Sequence, residues 1–163
     1  MRVLLVNPPS DVPFIREGRC QSPQAWRKNS VPQMTLAYTA GLCERHGHRV
    51  RTVDCIGSGL DVEAFFAELG DFVPDFVLTN TTTPTIQSDL RFVQSRKERF
   101  PGSIISAFGA HVTALHEEVL RQCSALDVVI RNEPEFAVLD TLSAISDGRI
   151  TNPIPGCTAR LDE

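Results

Sequence analysis

The chain has 163 residues, 42% of them hydrophobic and 22% charged, the balance of one folded domain rather than a disordered segment. Sixteen Lys plus Arg against twenty Asp plus Glu leave a net charge of −4, and no long basic run accompanies it, which argues against a nucleic-acid-binding surface. The uncharged stretch Asn29 to Cys43 has 15 residues and carries Asn, Ser, Gln and Pro, too short and too polar to cross a bilayer, while Val3 to Val6 is too short for a signal-peptide core; the expected location is the cytoplasm.

Five short apolar runs read as strands covered on both faces: Arg2 to Asn7, Arg49 to Asp54, Asp75 to Asn80, Ser103 to Phe108 and Asp127 to Arg131. Helical patterns lie between and after them. Leu36, Ala40 and Cys43 share one face before Gly47. Asp61 is placed to cap a helix carrying Val62, Phe65, Phe66 and Leu69. Ile86, Leu90, Val93 and Phe100 mark a longer helix closed by Pro101 and Gly102, and Leu115, Val119, Leu120 and Cys123 form a fourth stripe. The fifth helix starts with Asn132 as cap and Pro134 early, and presents Phe136, Leu139, Leu142 and Ile145 as its apolar face. Strand and helix thus alternate five times, the pattern of an α/β, flavodoxin-like (Rossmann-like) doubly wound parallel sheet with strand order 2-1-3-4-5. The domain is expected over residues 1–148. It contains a long irregular segment, Pro8 to Met34, with five prolines, of the length that often serves as a lid or binding loop. Residues 149–163, with Pro153 and Pro155, read as a C-terminal linker.

In such a sheet, ligands bind beyond the carboxyl ends of the strands, where strand order reverses. That edge is expected to consist of Asn7, Pro8 and Pro9; of Thr79, Asn80, Thr81, Thr82 and Thr83; of Phe108, Gly109, Ala110 and His111, with Thr113 beyond; and of Arg131, Asn132, Glu133 and Glu135. The run Thr79 to Thr83 concentrates four hydroxyls and a carboxamide, suited to a ligand rich in amides, ribose or phosphate, although threonines also finish strands and cap helices. His111 is placed to donate to a ligand or titrate near neutrality, or simply to sit solvated in a loop. His46 and His48 suit a helix C-terminus, and His116 an exposed helix face. No pair of histidines has metal-ligand spacing with a carboxylate, and the five cysteines (Cys20, Cys43, Cys55, Cys123, Cys157) form neither CxxC pairs nor a CxxxCxxC triplet. Cys43 and Cys123 fall on apolar helix faces as small core residues. The paired acids of a phosphoacceptor receiver are missing after the first strand, and GxxxxGK[ST], GxGxxG and GxSxG are all absent. No catalytic constellation is evident.

Several motifs taken together carry a resemblance. They are the opening VLLVNPP; Arg16 to Gln21 with Trp26 beyond; Pro32 followed by Leu36, Ala37 and Tyr38; Gly109, His111 and Thr113 in FGAHVTA; and Glu133 and Glu135 in IRNEPE. In this order and spacing they resemble the N-terminal cobalamin-binding domain of cobalamin-dependent radical S-adenosylmethionine enzymes, the group of the anaerobic magnesium-protoporphyrin IX monomethyl ester cyclase and many methyltransferases. Where that family often reads Gly-Gly-Pro-His-Ala-Thr, this sequence has Phe108 for the first glycine and Ala110 for the proline; where it reads Gly-Glu-Gly-Glu, Asn132 and Pro134 replace both glycines. The Asp-x-His-x-x-Gly motif that supplies a lower axial histidine elsewhere is absent. The resemblance implies base-off cobalamin held at the sheet edge. It also implies a partner barrel domain downstream of Glu163, carrying the iron–sulfur cluster and S-adenosylmethionine. Arg16, Arg19 and Trp26 of the long loop would then face that barrel and help cover the cobalt. Two other readings remain open on sequence: the same fold without cofactor, acting as a protein-interaction or assembly module, and a half-site for a nucleotide sugar.

Overall fold

A computed structural model describes residues 1–11, 14–16, 22–23, 32–148 and 154–160 of the chain. Its centre is β1 (Arg2–Asn7), whose residues Val3 to Val6 are wholly buried. Alternate side chains of a strand point to opposite faces, so Leu4 and Val6 enter one core while Val3 and Leu5 enter another. The sheet has the order β4 (Arg49–Asp54), β1, β5 (Phe76–Asn80), β6 (Ile104–Phe108), β7 (Val128–Ile130), β8 (Cys157–Ala159). The first five strands are mutually parallel and give the expected 2-1-3-4-5 order, whereas β8 runs antiparallel on β7. The sheet therefore has six strands, not five, and part of the segment read as linker is its last strand. A second, two-stranded ribbon pairs β2 (Phe14–Ile15) with β3 (Ser22–Pro23) inside the long segment after β1.

Helices α1 (Met34–Arg45) and α7 (Pro134–Ser146) cover one face, packing Leu36, Cys43, Val138 and Leu142 against the sheet. The other face carries α3 (Val62–Leu69), α4 (Ile86–Arg99) and α6 (His116–Gln122), with the short α2 (Cys55–Ser58) and α5 (Ala110–Ala114) at the strand ends. Asp61 caps α3 through the Ala64 amide, as expected. Three expectations need correction. Leu115, the first residue of the fourth stripe, falls between α5 and α6 and is exposed, while Val119, Leu120 and Cys123 are buried as expected. Phe136 is 75% exposed, and Ala137, Val138 and Thr141 take the inward face of α7 instead. Asn132 stands outside α7 at φ 63°, with Glu133 at the cap position.

Polar clamps close the edge opposite the strands' carboxyl ends. The Asp127 carboxylate accepts from the Ile105 amide at 2.7 Å and from Lys97 Nζ at 2.8 Å. Ser103 Oγ donates to the Pro74 carbonyl at 2.6 Å. Arg160, just after β8, donates to the Leu120, Cys123 and Leu126 carbonyls and so satisfies the end of α6. Among the described residues no helix is long and apolar enough to cross a membrane. Replacing Asp127 by Ala leaves the Ile105 amide and the Lys97 ammonium without their acceptor; urea denaturation is expected to show a loss of about 2–3 kcal/mol, the scale of hydrogen bonds to a charged group.

Candidate functional site

The parallel register brings the expected turns onto one rim. Asn7 stands beside Asp54, Asn80 beside Phe108, and Phe108 beside Ile130. Strand order reverses between β1 and β5, so the crevice lies between Asn7-Pro8 and the run that follows Asn80.

A buried polar network fills the floor of this crevice. Arg16 comes from the long segment after β1, and its side chain is wholly buried. Its Nη2 donates to Asp89 Oδ1 at 2.6 Å, and its Nη1 donates to Asn7 Oδ1 and to the Pro8 carbonyl at 3.1 and 2.8 Å. The second Asp89 oxygen accepts from Thr85 Oγ1 at 2.6 Å and from the Thr82 amide. Asn7 Nδ2 continues the chain to Asp54 Oδ1 at 2.7 Å. Burial pushes the Asp89 carboxyl up, while Arg16 and the bonds from Thr85 and Thr82 oppose that shift. Arg16 was expected at a junction with a partner domain; its guanidinium instead faces inward. Arg19 and Trp26 lie outside the described residues. Asp89 was not anticipated as a site residue, although an acid within the inward stripe of Ile86, Phe92 and Val93 is the signal of a buried ion pair.

The threonine run divides by task. Thr81 Oγ1 donates to the Phe108 carbonyl at 2.8 Å, and the Thr81 amide donates to the same oxygen, so this residue seals β5 to β6. Thr79 and Thr82 are fully buried, and neither hydroxyl has a partner among the described residues. Asn80 Nδ2 donates to Gln33 Oε1 at 3.1 Å, and Thr83 is exposed at the start of a short 3-10 turn, Thr83–Thr85.

The turn after β6 passes so close to β5 that a Cβ at Gly109 would overlap the Thr81 carbonyl oxygen, and Gly109 has φ 130°. Only glycine is suited to that position. Ala110 and His111 follow in α5, exposed and half-buried respectively. Thr113 Oγ1 accepts from the Asn132 amide at 3.0 Å and so ties the turn after β6 to the turn after β7. Arg131 reaches the Cys157 carbonyl of β8, Glu133 is exposed, and Glu135 is half-buried in the first turn of α7. His116, expected on an exposed face, is half-buried beside Thr158 Oγ1 at 3.0 Å. Phe108 is 5% exposed and belongs to the core between the sheet and the α1–α7 layer, with Leu36, Leu78 and Ile130. It lies below the rim rather than across it. Pro8 is buried in the floor, while Pro9 is half-buried and borders a cavity on the α2–α4 side.

Among the described residues no group of His, Cys, Asp and Glu is arranged to hold a metal ion. Cys43, Cys55, Cys123 and Cys157 are buried free thiols, and burial pushes Cys43 up to about 11 and Cys55 up to about 12, so both are inert neutral groups at physiological pH. The described part of the rim therefore offers hydroxyls, amides and backbone groups to a bound molecule.

Comparison with known proteins agrees with this arrangement. The chain is 27% identical over 150 residues to the anaerobic magnesium-protoporphyrin IX monomethyl ester cyclase of Rubrivivax gelatinosus, covering 91% of this chain and 25% of that protein. It is 27% identical over 156 residues to an uncharacterized methyltransferase of Pyrococcus horikoshii, covering 96% of this chain and 32% of that protein. The chain thus spans a third or less of these relatives. Among solved structures, the cobalamin-dependent S-adenosylmethionine radical enzyme OxsB with aqua-cobalamin and S-adenosylmethionine bound superposes with a TM-score of 0.75 at 15% identity, over 99% of this chain and 21% of that one. The family model of the B12 binding domain matches residues 25–140, and the chain belongs to that family.

Proposed function

We propose that this chain is the cobalamin-holding module of a cobalamin-dependent radical S-adenosylmethionine enzyme. The observation that carries the reading is the pair of buried hydroxyls, Thr79 and Thr82, left without partners at the switch point of a B12-binding fold. A buried hydroxyl without a hydrogen bond is costly, and a ligand bearing many amides supplies the missing partners. Gly109 fits the same role, since its bare Cα lets a ligand approach the backbone where a side chain could not stand.

In this proposal the corrin lies along the rim formed by Asn7 to Pro9, Thr79 to Thr83, Gly109 to Thr113 and Asn132 to Glu135. The sequence lacks the Asp-x-His-x-x-Gly motif that supplies a lower axial histidine, and the resemblance to this enzyme group implies that cobalamin would be held base-off. Bound cobalamin supplies the cobalt chemistry of methyl transfer or cyclisation. The chain's own residues position it and keep the crevice floor dry. The Arg16–Asp89 pair fixes the start of the segment that follows β1, and a barrel domain carrying the iron–sulfur cluster and S-adenosylmethionine covers the upper face. That barrel follows Glu163, and the assembly works in the cytoplasm.

A second reading is favoured by one observation: Phe108 fills the space below the rim between β6 and the α1–α7 layer, so no ligand tail descends there without displacing it. Under that reading the fold serves as an assembly module without cofactor.

Addition of hydroxocobalamin to the chain, followed by visible spectroscopy and gel filtration, separates the two. The cofactor reading requires a changed spectrum and co-elution of the pigment, and the absence of both supports the second reading. Thr82→Val is a finer test. Removing an orphaned buried hydroxyl is expected to leave the melting temperature unchanged or raised, while hydroxocobalamin binding weakens by roughly 3- to 10-fold, the scale of one neutral hydrogen bond. Phe108→Gly should cost about 3–5 kcal/mol of stability in a urea titration. It raises cobalamin affinity only if the phenyl ring is what excludes the ligand.

A further inference from the structure

On the face opposite α1 and α7, a cavity of about 550 Å³ opens between the turn after β1, the α2–α3 connection and α4. Ser88, Arg91, Phe92 and Ser95 occupy positions i, i+3, i+4 and i+7 of α4, so one face of that helix forms a continuous wall. Ile56 and Leu60 supply an apolar wall opposite.

Directly behind the α4 wall lies Arg96, which is fully buried. Its guanidinium carbon is 3.1 Å from the centre of the Phe92 ring and 4.4 and 4.6 Å from those of Phe65 and Phe66. Its Nη2 donates to Ser95 Oγ at 2.6 Å, whereas Nε and Nη1 have no partner among the described residues. No carboxylate among the described residues forms an ion pair with it. Burial pulls its pKa down to about 9, so the group still carries its charge at neutral pH. Three aromatic faces offset part of the cost of a buried cation, but the N–H groups of Nε and Nη1 have no acceptor among the described residues. Uncompensated charges of this kind are strongly unfavourable in a protein interior. The two residues that touch the guanidinium most closely, Phe92 and Ser95, also line the cavity.

We propose that this cavity is a binding site for a small amphipathic anion, a carboxylate or phosphate ester on an apolar body, with Arg96 as its buried counter-charge. The anionic group sits against the α4 wall at Ser95, and the exposed Arg91 on the same helical face provides a second positive charge. Asp11 and Asp61 line the other side, where Asp61 already accepts from the Ala64 amide. Their charge fixes the orientation, directing the anion to α4 and the apolar body toward Ile56 and Leu60. The site adjoins the rim at Pro9 but opens on the α2–α4 side, and it does not rest on the cobalamin reading.

The test uses the whole chain with phenyl phosphate as probe, and with benzyl alcohol and inorganic phosphate as controls, read by thermal melting and calorimetric titration. Wild-type protein is expected to bind phenyl phosphate more tightly than either control and to melt at a higher temperature in its presence. Arg96→Met, which replaces the cation by an apolar chain of similar length, should melt at or above the wild-type temperature without ligand. The same variant should bind phenyl phosphate roughly tenfold or more weakly, as expected on loss of the buried positive charge behind the α4 wall. No binding by the wild type, equal binding of either control, or undiminished binding by Arg96→Met would each overturn the proposal. Should Arg96→Met fail to fold, Ile56→Trp blocks the cavity while leaving Arg96 in place. Loss of phenyl phosphate binding in that variant supports the site, and retention overturns it.

Discussion

The ion pair between Arg16 and Asp89 is the constraint on which the rest of the rim depends. Both side chains are fully shielded from solvent, with 2.6 Å between Nη2 and Oδ1. Charges taken out of water are tolerated only when their remaining donors and acceptors are also used. Here they largely are: Arg16 reaches Asn7 and Pro8, while Asp89 receives Thr85 and Thr82. The pair thus joins the ends of β1 and β5 to the first turns of α4, across the one point where the sheet reverses its winding. It also brings the segment after β1 back onto the rim, which puts Pro9 and Ser10 at the edge of the cavity on the α4 side. One interaction therefore shapes both the crevice floor and the neighbouring cavity.

The same helix carries a second buried charge under opposite circumstances. Asp89 and Arg96 are seven residues apart on α4, two turns along one inward face. Asp89 has its counter-ion Arg16 and two further hydrogen-bond donors, Thr82 and Thr85; Arg96 has three aromatic rings, one hydroxyl and, among the described residues, no acid. A helix whose inner stripe is interrupted twice by charge is a poor means of filling a core. The contrast places the first charge in the structural logic of the switch point and leaves the second without an internal explanation. That difference, more than the cavity volume, distinguishes the α4 pocket from an ordinary packing defect.

The parallel strands were legible because each is a short run of Val, Ile, Leu and Phe buried on both faces, a pattern that few other elements share. The sixth strand was not. Cys157–Ala159 has three residues flanked by Pro and Gly, and an antiparallel edge strand of that length has no periodicity to read. On α7 the spacing fits two adjacent stripes, and the choice between Phe136 and the pair Ala137 and Val138 is made by contact with α1 and the sheet, which sequence alone does not encode. The rim was legible as a set of turns but not as a set of free groups. Thr79, Thr81 and Thr82 look alike in sequence, yet Thr81 is committed to the Phe108 carbonyl while the other two hydroxyls are left over. Only the register of β5 against β6 decides between them. Arg16 stood within a motif that suggested an outward role, and its burial follows from an acid 73 positions away, a distance over which local pattern carries no information.

Phe108 and Gly109 show how narrowly this rim divides packing from recognition. They are neighbours in sequence, but Phe108 completes β6 and drops its ring into the α1–α7 core, while Gly109 turns the chain at φ 130° against the Thr81 carbonyl. A side chain is required at the first position to fill the layer below the rim, and none can be accommodated at the second. In a fold that admits a ligand from above, the depth to which that ligand penetrates is therefore set by the last strand residue, and its approach to the backbone by the first turn residue. This chain keeps the second feature and has a phenyl ring at the first. A ligand held at this rim, as proposed, would therefore rest on the turns and approach the backbone at Gly109, rather than insert deeply between β6 and the α1–α7 helices, where the Phe108 ring stands.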